Sequence, residues 1–596
     1  MNMTNLIKEA YIDPIRSVIV VDDEYPTVLE LLDGAEAKAQ PDVDRLKDVI
    51  ALCRDDKNGW TLDIDNGQSN VLNNFSRISH SDLLILDYHL EKGNEDGKGE
   101  QALKVIDDLV KNQHFNLVIV HTKGYTVQDQ DIGDLNKVFA DIVLRLFGER
   151  TINSTEGYDA DTVEDAINTW ADDDSGVLEK LKKSISTLDC LRVIKNNLLD
   201  PDCNELKGLK SIYDTRPLGE EDVEALSFGD LLQFVVDNHY KKIKPEIGTY
   251  RTQGLNWCAT ELWVKTSNSF IVVVGKDTST AELPTKLLEA LVSWNPHPHA
   301  LLLSKFRHLV DEQGFGYVDD LINKRYVQAG WLQELLKADV QNAKWVAQST
   351  SERLLSTMSE KMVPEIGEFA HLIQQALLST GDISTLIDKY HGLDTEDKQT
   401  KLEISKNINA YSCSKSVVGN QLVTGHILEI SGDKYICLTP ACDLVPTQKS
   451  DWKRRLGDLM PFKLVKLWPS ETRFPPSKKK KQSSEERLLS KLNANEHVVF
   501  NDAGVIKCYS LLKADGANPQ WEQAFAHDNG EMCWNGNEAT VYTTRLLHGG
   551  STGNDISNQV VEGRVVTQLR YEYAINLLQK FGVTQSRVGL DFVEFR

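Results

Sequence analysis

The sequence predicts a multidomain α/β and α+β chain. A doubly wound parallel sheet comes first, then a helical and α/β middle, then a β-rich C-terminal domain. Three observations predict it. Short, nearly continuous apolar runs at 18–21, 83–86 and 117–120 are rich in Val, Ile and Leu, and each is followed by polar residues, as parallel strands buried on both faces are. Much of 150–378 places apolar residues at helical spacing. Beyond residue 417, short strand-like runs flank turn signals such as Ser431-Gly432-Asp433.

The expected domains are 1–150 for the parallel sheet, 151–240 for a helical connector, 241–381 for an α/β-to-helical middle, and 382–596 for the β-rich part with a terminal helix and strand. In order, a helix starts at Pro26 and runs to about residue 32, with Pro in its first turn. A helix at 42–53, a strand at 60–64 and a helix at 70–79 lead to the run ending in Asp87. The polar, Gly-rich stretch 91–99 reads as a solvated loop, 99–112 as an amphipathic helix, and 131–146 as the helix after Thr122. Strands at 260–264 and 269–274 read as a hairpin or adjacent pair opening a second α/β unit, with Lys276 directly after them. His297 and His299 alternate in a proline-bounded turn, which reads as structural. Tyr326, Trp331 and Leu335 fall near one side of a helix and read as core. Cys437 and Cys442 read as structural strand-end residues, with a thiol or zinc site as the alternative that Cys413, His426 and Cys508 could complete. The chain closes with a helix at 565–580 and a strand at 589–595.

The chemistry lies at the ends of the first three runs. Asp22 and Asp23 end one, Asp87 the next and Thr122 the third. In one parallel sheet all of these reach the carboxyl edge, where open α/β sheets place their sites. Three converging carboxylates need a cation, and an oxygen-only donor set suits Mg²⁺. A carboxylate beside such an ion is a nucleophile towards a phosphoryl group, and a hydroxyl can donate to a phosphoryl oxygen.

Residues 14–150 resemble the receiver domain of response regulators. Asp22 and Asp23 match the acidic pair and Asp87 the phosphoacceptor. His89 matches the position whose backbone carbonyl completes the metal site, and Thr122 the switch hydroxyl. The resemblance implies Mg²⁺ at Asp22, Asp23, Asp87 and His89, and phosphate taken from a partner histidine kinase. It also implies a lysine at the end of a fifth strand. Lys123 and Lys137 are the candidates, neither at the expected place. Lys123 is favoured, because Gly124 permits a sharp exit from the strand, so the reacting set reads Asp87, Thr122 and Lys123. The wording VIVVDDEYP and LLILDYHL looks like the atypical receivers of bacterial conflict systems. It resembles the receiver-bearing, buffering component of the Detocs defensive two-component system, which implies anti-phage defence and a second receiver-effector protein as partner.

Composition narrows the alternatives. A net charge of −23 argues against a broad nucleic-acid-binding surface and fits protein partners. No run of about 18 apolar residues predicts a membrane span. The first residues lack a signal-peptide pattern, and nine scattered cysteines fit reduced thiols in a cytoplasm. No P-loop, HExxH, GxSxG or dinucleotide fingerprint occurs. Two other readings stay open: a pseudo-receiver scaffold, and a C-terminal hydrolytic or nucleic-acid-binding module using Cys442 and the basic stretch 478–481. The helical middle could relay a signal or form a homo-oligomer.

Overall fold

Seven strands form the first sheet, in the order β2-β1-β3-β4-β7-β6-β5. They are β1 Ser17–Val21, β2 Thr61–Asp65, β3 Leu83–Leu86, β4 Asn116–Thr122, β5 Asn256–Cys258, β6 Trp263–Lys265 and β7 Ser269–Gly275. The strands come from a computed structural model. It describes all residues except 1, 27–39, 68–74, 91–96, 129, 131, 151, 153–157, 197–203, 218, 314–315, 317–323, 339–342, 447–450, 477–480, 492–495, 515–517, 550–554 and 586–596. Several expectations therefore lie outside the described residues: most of the helix starting at Pro26, the loop at 91–96, Lys478–Lys480 and the strand at 589–595. The chain divides into two compact units, 1–308 with 368–376, and 309–367 with 377–596.

In the first unit, β2, β1, β3, β4 and β7 run parallel, while β6 and β5 continue the sheet antiparallel. Every residue of β3 and of β7 is buried. That is the physical reason for their unbroken apolar runs, since crossover helices cover both faces of a parallel sheet. The amphipathic helix Glu100–Lys111 buries Ala102, Leu103, Val105, Ile106 and Leu109, and helix Leu135–Phe147 buries Val138, Phe139, Ile142 and Val143.

The expected boundaries at 150 and 241 do not follow this sheet. β4 and β7 pair in parallel over their full length, from Asn116 with Ser269 to Thr122 with Gly275. The described helices between them belong to one crossover, which also carries β5 and β6 of the same sheet. Its helices Ala160–Asp173, Thr187–Asn196 and Phe228–Ile243 send Trp170, Leu191 and Leu231 into the same core as Val118 and Phe139. The stretch read as a connector is an insertion packed onto the sheet domain. The strands read as opening a second α/β unit complete the first.

The second unit is built on a ten-stranded antiparallel sheet. Its main path runs β10-β9-β17-β16-β14-β11-β13-β12, with β8 on β17 and β15 on β16. These strands are β8 Ser414–Lys415, β9 His426–Ile430, β10 Asp433–Cys437, β11 Met460–Pro469, β12 His497–Asp502, β13 Val505–Ser510, β14 Trp521–Ala526, β15 Cys533–Asn535, β16 Glu538–Gly549 and β17 Asp555–Leu569. Alternate residues enter opposite cores. Ile427, Ile436, Val465 and Leu467 pack on one side, and Leu428, Tyr435, Cys437 and Leu464 on the other. This is the two-residue period of a sheet covered on both faces.

The aromatic stripe in helix Arg325–Lys337 is not core. Tyr326 and Trp331 are exposed and no residue of that helix is buried. Among the described residues, the cysteines do not gather into a metal-ligand group. Cys437 is buried among apolar residues, which push its thiol up to about 12, Cys442 is exposed beside Asp443, and Cys413 donates to the Val499 carbonyl.

His426 provides a test of the second core. The ring is fully buried, its Nδ1 accepts the Val423 N–H at 3.2 Å, and burial pushes its pKa down from 6.5 to about 3. Between those values the unfolded chain binds a proton that the folded chain refuses, so stability falls as pH drops from 6.5 towards 3, by about 1.4 kcal/mol per pH unit at most. Histidine NMR should show this ring neutral at pH 5. His426→Gln, which keeps an acceptor, should flatten the loss of stability between pH 6.5 and 5. A ring titrating near 6.5 would contradict the buried placement.

Candidate phosphoacceptor site

Parallel register brings the site together. β1 lies between β2 and β3, and β3 lies between β1 and β4, so residues just past their ends share one edge. The Asp87 N–H continues the ladder by donating to the Val21 carbonyl at 2.8 Å. Asp22 is buried at the end of β1 and accepts from the Glu24 N–H, which turns the chain. Asp23 is partly buried. One ligand oxygen from each of Asp22, Asp23 and Asp87 lies within 4.8 Å of the others, the one such group among the described residues. Thr122 is buried at the end of β4 and its Oγ1 accepts the Gly124 N–H at 3.2 Å.

The lysine is Lys276, not Lys123. Its N–H donates to the Thr122 carbonyl at 2.9 Å, extending the β4–β7 ladder by one residue. Its ammonium lies 2.7 Å from Asp87 Oδ2, 2.9 Å from Asp22 Oδ2 and 3.5 Å from Glu24 Oε2, and its side chain is only 5 % exposed. Lys123 instead reaches Glu24 at 3.0 Å, where Arg45 also arrives at 3.1 Å. Lys137 lies over the Tyr125 ring, 3.7 Å from its centroid. Gly124 does make the expected bend, with φ of +75°, but the bend closes a loop in which Gly133 N–H bonds the Lys123 carbonyl. Sequence reasoning noted Lys276 after its strand without linking it to Asp87. The available signal was the run 269–274, the same kind of buried-strand pattern as the first three.

The charges of the site depend on one another. Burial alone would push the Lys276 pKa down, but Asp87, Asp22 and Glu24 override it and hold the ammonium above its ordinary range. Burial, then the negative charges of Asp87 and Asp22, raise the Asp23 carboxyl to about 6. Burial also opposes ionisation of Glu24, yet Lys276, Lys123 and Arg45 keep its pKa below the usual value. Glu24 is thus neutralised by its own partners. Asp22, Asp23 and Asp87 stand as three carboxylates against one ammonium, a surplus of two negative charges. A hard divalent cation fits both that surplus and the all-oxygen donor set.

Behind Asp87 a hydrogen-bonded brace fixes the edge. The Tyr88 and Tyr125 hydroxyls both donate to Asp141 Oδ2, at 2.8 and 2.5 Å, so the exits of β3 and β4 are tied to helix Leu135–Phe147. His89 packs its ring edge-on against Tyr88 and Tyr125, with centroids 4.9 and 5.3 Å away, and its N–H faces Asp87 Oδ1 at 3.4 Å.

Residues 14–177 match a family model described as "Response receiver domain". That supports a receiver domain over these residues, about a quarter of the chain. The match ends inside the inserted crossover, before β7 and Lys276, which the fold alone brings to the site. No curated protein and no solved structure gives a significant match.

Titration with Mg²⁺ should separate the residues by sign. Asp23→Ala should weaken binding at least about 10-fold, because a ligand or its positioning group is lost. Lys276→Met should tighten it several-fold, because a competing cation leaves the pocket. Equal affinities in wild type and both variants would place the metal elsewhere.

Proposed function

We propose that this chain accepts a phosphoryl group on Asp87 from a partner histidine kinase and is reset by hydrolysis. The observation that carries the reading is the Lys276 ammonium on both Asp87 and Asp22, at the edge that also holds Asp23 and Thr122. Mg²⁺ would be held by Asp22, Asp23 and Asp87, with the His89 carbonyl as the proposed further ligand, and would supply charge neutralisation to the phosphoryl oxygens.

A carboxylate oxygen of Asp87 attacks phosphorus. The bond from phosphorus to the donor nitrogen breaks, and its electron pair stays on the imidazole, which takes a proton. Lys276 balances charge on the acceptor side, and the Thr122 hydroxyl would donate to a phosphoryl oxygen. Phosphoryl transfer asks a protein for little beyond such positioning and neutralisation. Hydrolysis returns inorganic phosphate and the free carboxylate. Lys123 is proposed to act at one remove, by occupying Glu24 and so leaving Lys276 to Asp87 and Asp22.

The scaffold reading rested on a missing lysine, and Lys276 removes that ground. The dispersed cysteines likewise give no support to a C-terminal thiol or zinc chemistry. A place in anti-phage defence, with a second receiver-effector protein downstream and this chain buffering phosphate, is proposed from the resemblance of the 18–26 and 83–90 stretches alone.

Incubation with a small phosphodonor and Mg²⁺ should add one acid-labile phosphoryl group, seen by intact mass. Asp87→Asn should abolish it, while Lys123→Met should retain it. Label persisting in Asp87→Asn would overturn the assignment.

A further inference from the structure

Helix Arg325–Lys337 is 13 residues long and none of them is buried. Its apolar residues are not confined to one stripe. Tyr326, Val327, Trp331, Leu332 and Leu336 lie all round the axis at 100° per residue, with exposures from 45 % to 83 %. Polar residues are interspersed among them, so no face of the helix is wholly polar, and a cluster of large exposed apolar side chains marks an interaction surface. An isolated helix of this length is marginal in water, and Gly330 in its interior costs about 1 kcal/mol more relative to Ala. Local propensity therefore does not account for it, and its stability needs burial against something else. Its neighbour, helix Ala343–Leu378, continues the exposed apolar surface with Leu354, Leu355 and Val363. Arg353 ties the two helices by an ion pair to Glu334 at 2.7 Å, and both partners are largely exposed.

We propose that these two helical stretches, 325–337 and 343–367, form a self-association surface whose occupant is the same two stretches of a second copy. Charge selects that occupant. The chain carries −23 overall, so most of its surface repels another copy of itself. Within 325–337 and 343–367 the five basic residues slightly outnumber the four acidic ones, so two copies approach here without that repulsion. Area agrees. The seven large side chains from Tyr326 to Leu355 expose on the order of 800 Å² together, about what one partner contributes to a standard interface. Two such pairs of helices meeting about a two-fold axis place four helices around a shared apolar centre, which covers more of each helix's circumference than a flat contact does.

Sedimentation of the full-length protein across about 0.1–50 µM tests this. The expected result is a reversible dimer of twice 67.1 kDa. Leu332→Glu with Leu336→Glu, both at exposed positions that leave the monomer core intact, should raise the dimer dissociation constant at least about 30-fold, with an unchanged circular dichroism spectrum. Backbone amides of 325–337 should be protected from hydrogen exchange at high concentration and lose protection on dilution. A wild-type monomer throughout the range overturns the proposal. So does a dimer indifferent to the two substitutions, or protection of 325–337 that persists in the monomer, which would mean that the chain itself covers the helix.

Discussion

Three carboxylates held close together in a largely buried pocket repel one another, and the Lys276 ammonium is the fixed positive charge that offsets this repulsion. Direct pairing in a low-dielectric setting outweighs the desolvation that would otherwise neutralise the lysine, and the raised pKa of Lys276 records that balance. The pairing depends in turn on backbone register. Lys276 reaches Asp87 because its N–H extends the β4–β7 ladder one residue past Thr122. A slip of one residue would turn the side chain to the other face of the sheet.

That register is set across a long crossover. The helices inserted between β4 and β7 would obstruct the sheet if they formed a separate domain on flexible links. They instead share its core through Trp170, Leu191 and Leu231, which fixes where β7 begins. The Tyr88–Tyr125–Asp141 brace ties the residue after Asp87 to helix Leu135–Phe147. A change in charge at Asp87 would be felt first by these neighbours: the lysine on β7, and the tyrosines leading to helix Leu135–Phe147.

What the sequence made legible follows from how local each signal was. Asp22, Asp23, Asp87 and Thr122 each end a buried strand within a short stretch, so apolar run plus terminal polar residue was enough to find them. Lys276 has the same local signature, but its partner strand lies across the insertion, and no periodicity reveals which strands pair. Gly124 does bend the chain after Thr122, the ground on which Lys123 is favoured, but Glu24 holds the Lys123 ammonium. In the second unit, alternation marked the strands, while the order of the ten-stranded sheet rests on long-range pairing. The aromatic residues of Arg325–Lys337 show the opposite failure. Apolar content suggested core, but this helix has no partner element within the described chain that buries it.

The central claim is that the lysine of β7 and the carboxylates of β1 and β3 form one site. A crystal structure of the full-length protein grown with Mg²⁺ tests it most directly. The expected result is one ion bound by Asp22, Asp23 and Asp87, with the Lys276 ammonium within hydrogen-bonding distance of Asp87. A β7 unpaired from β4, or Lys276 turned away while Lys123 approaches Asp87, would contradict it.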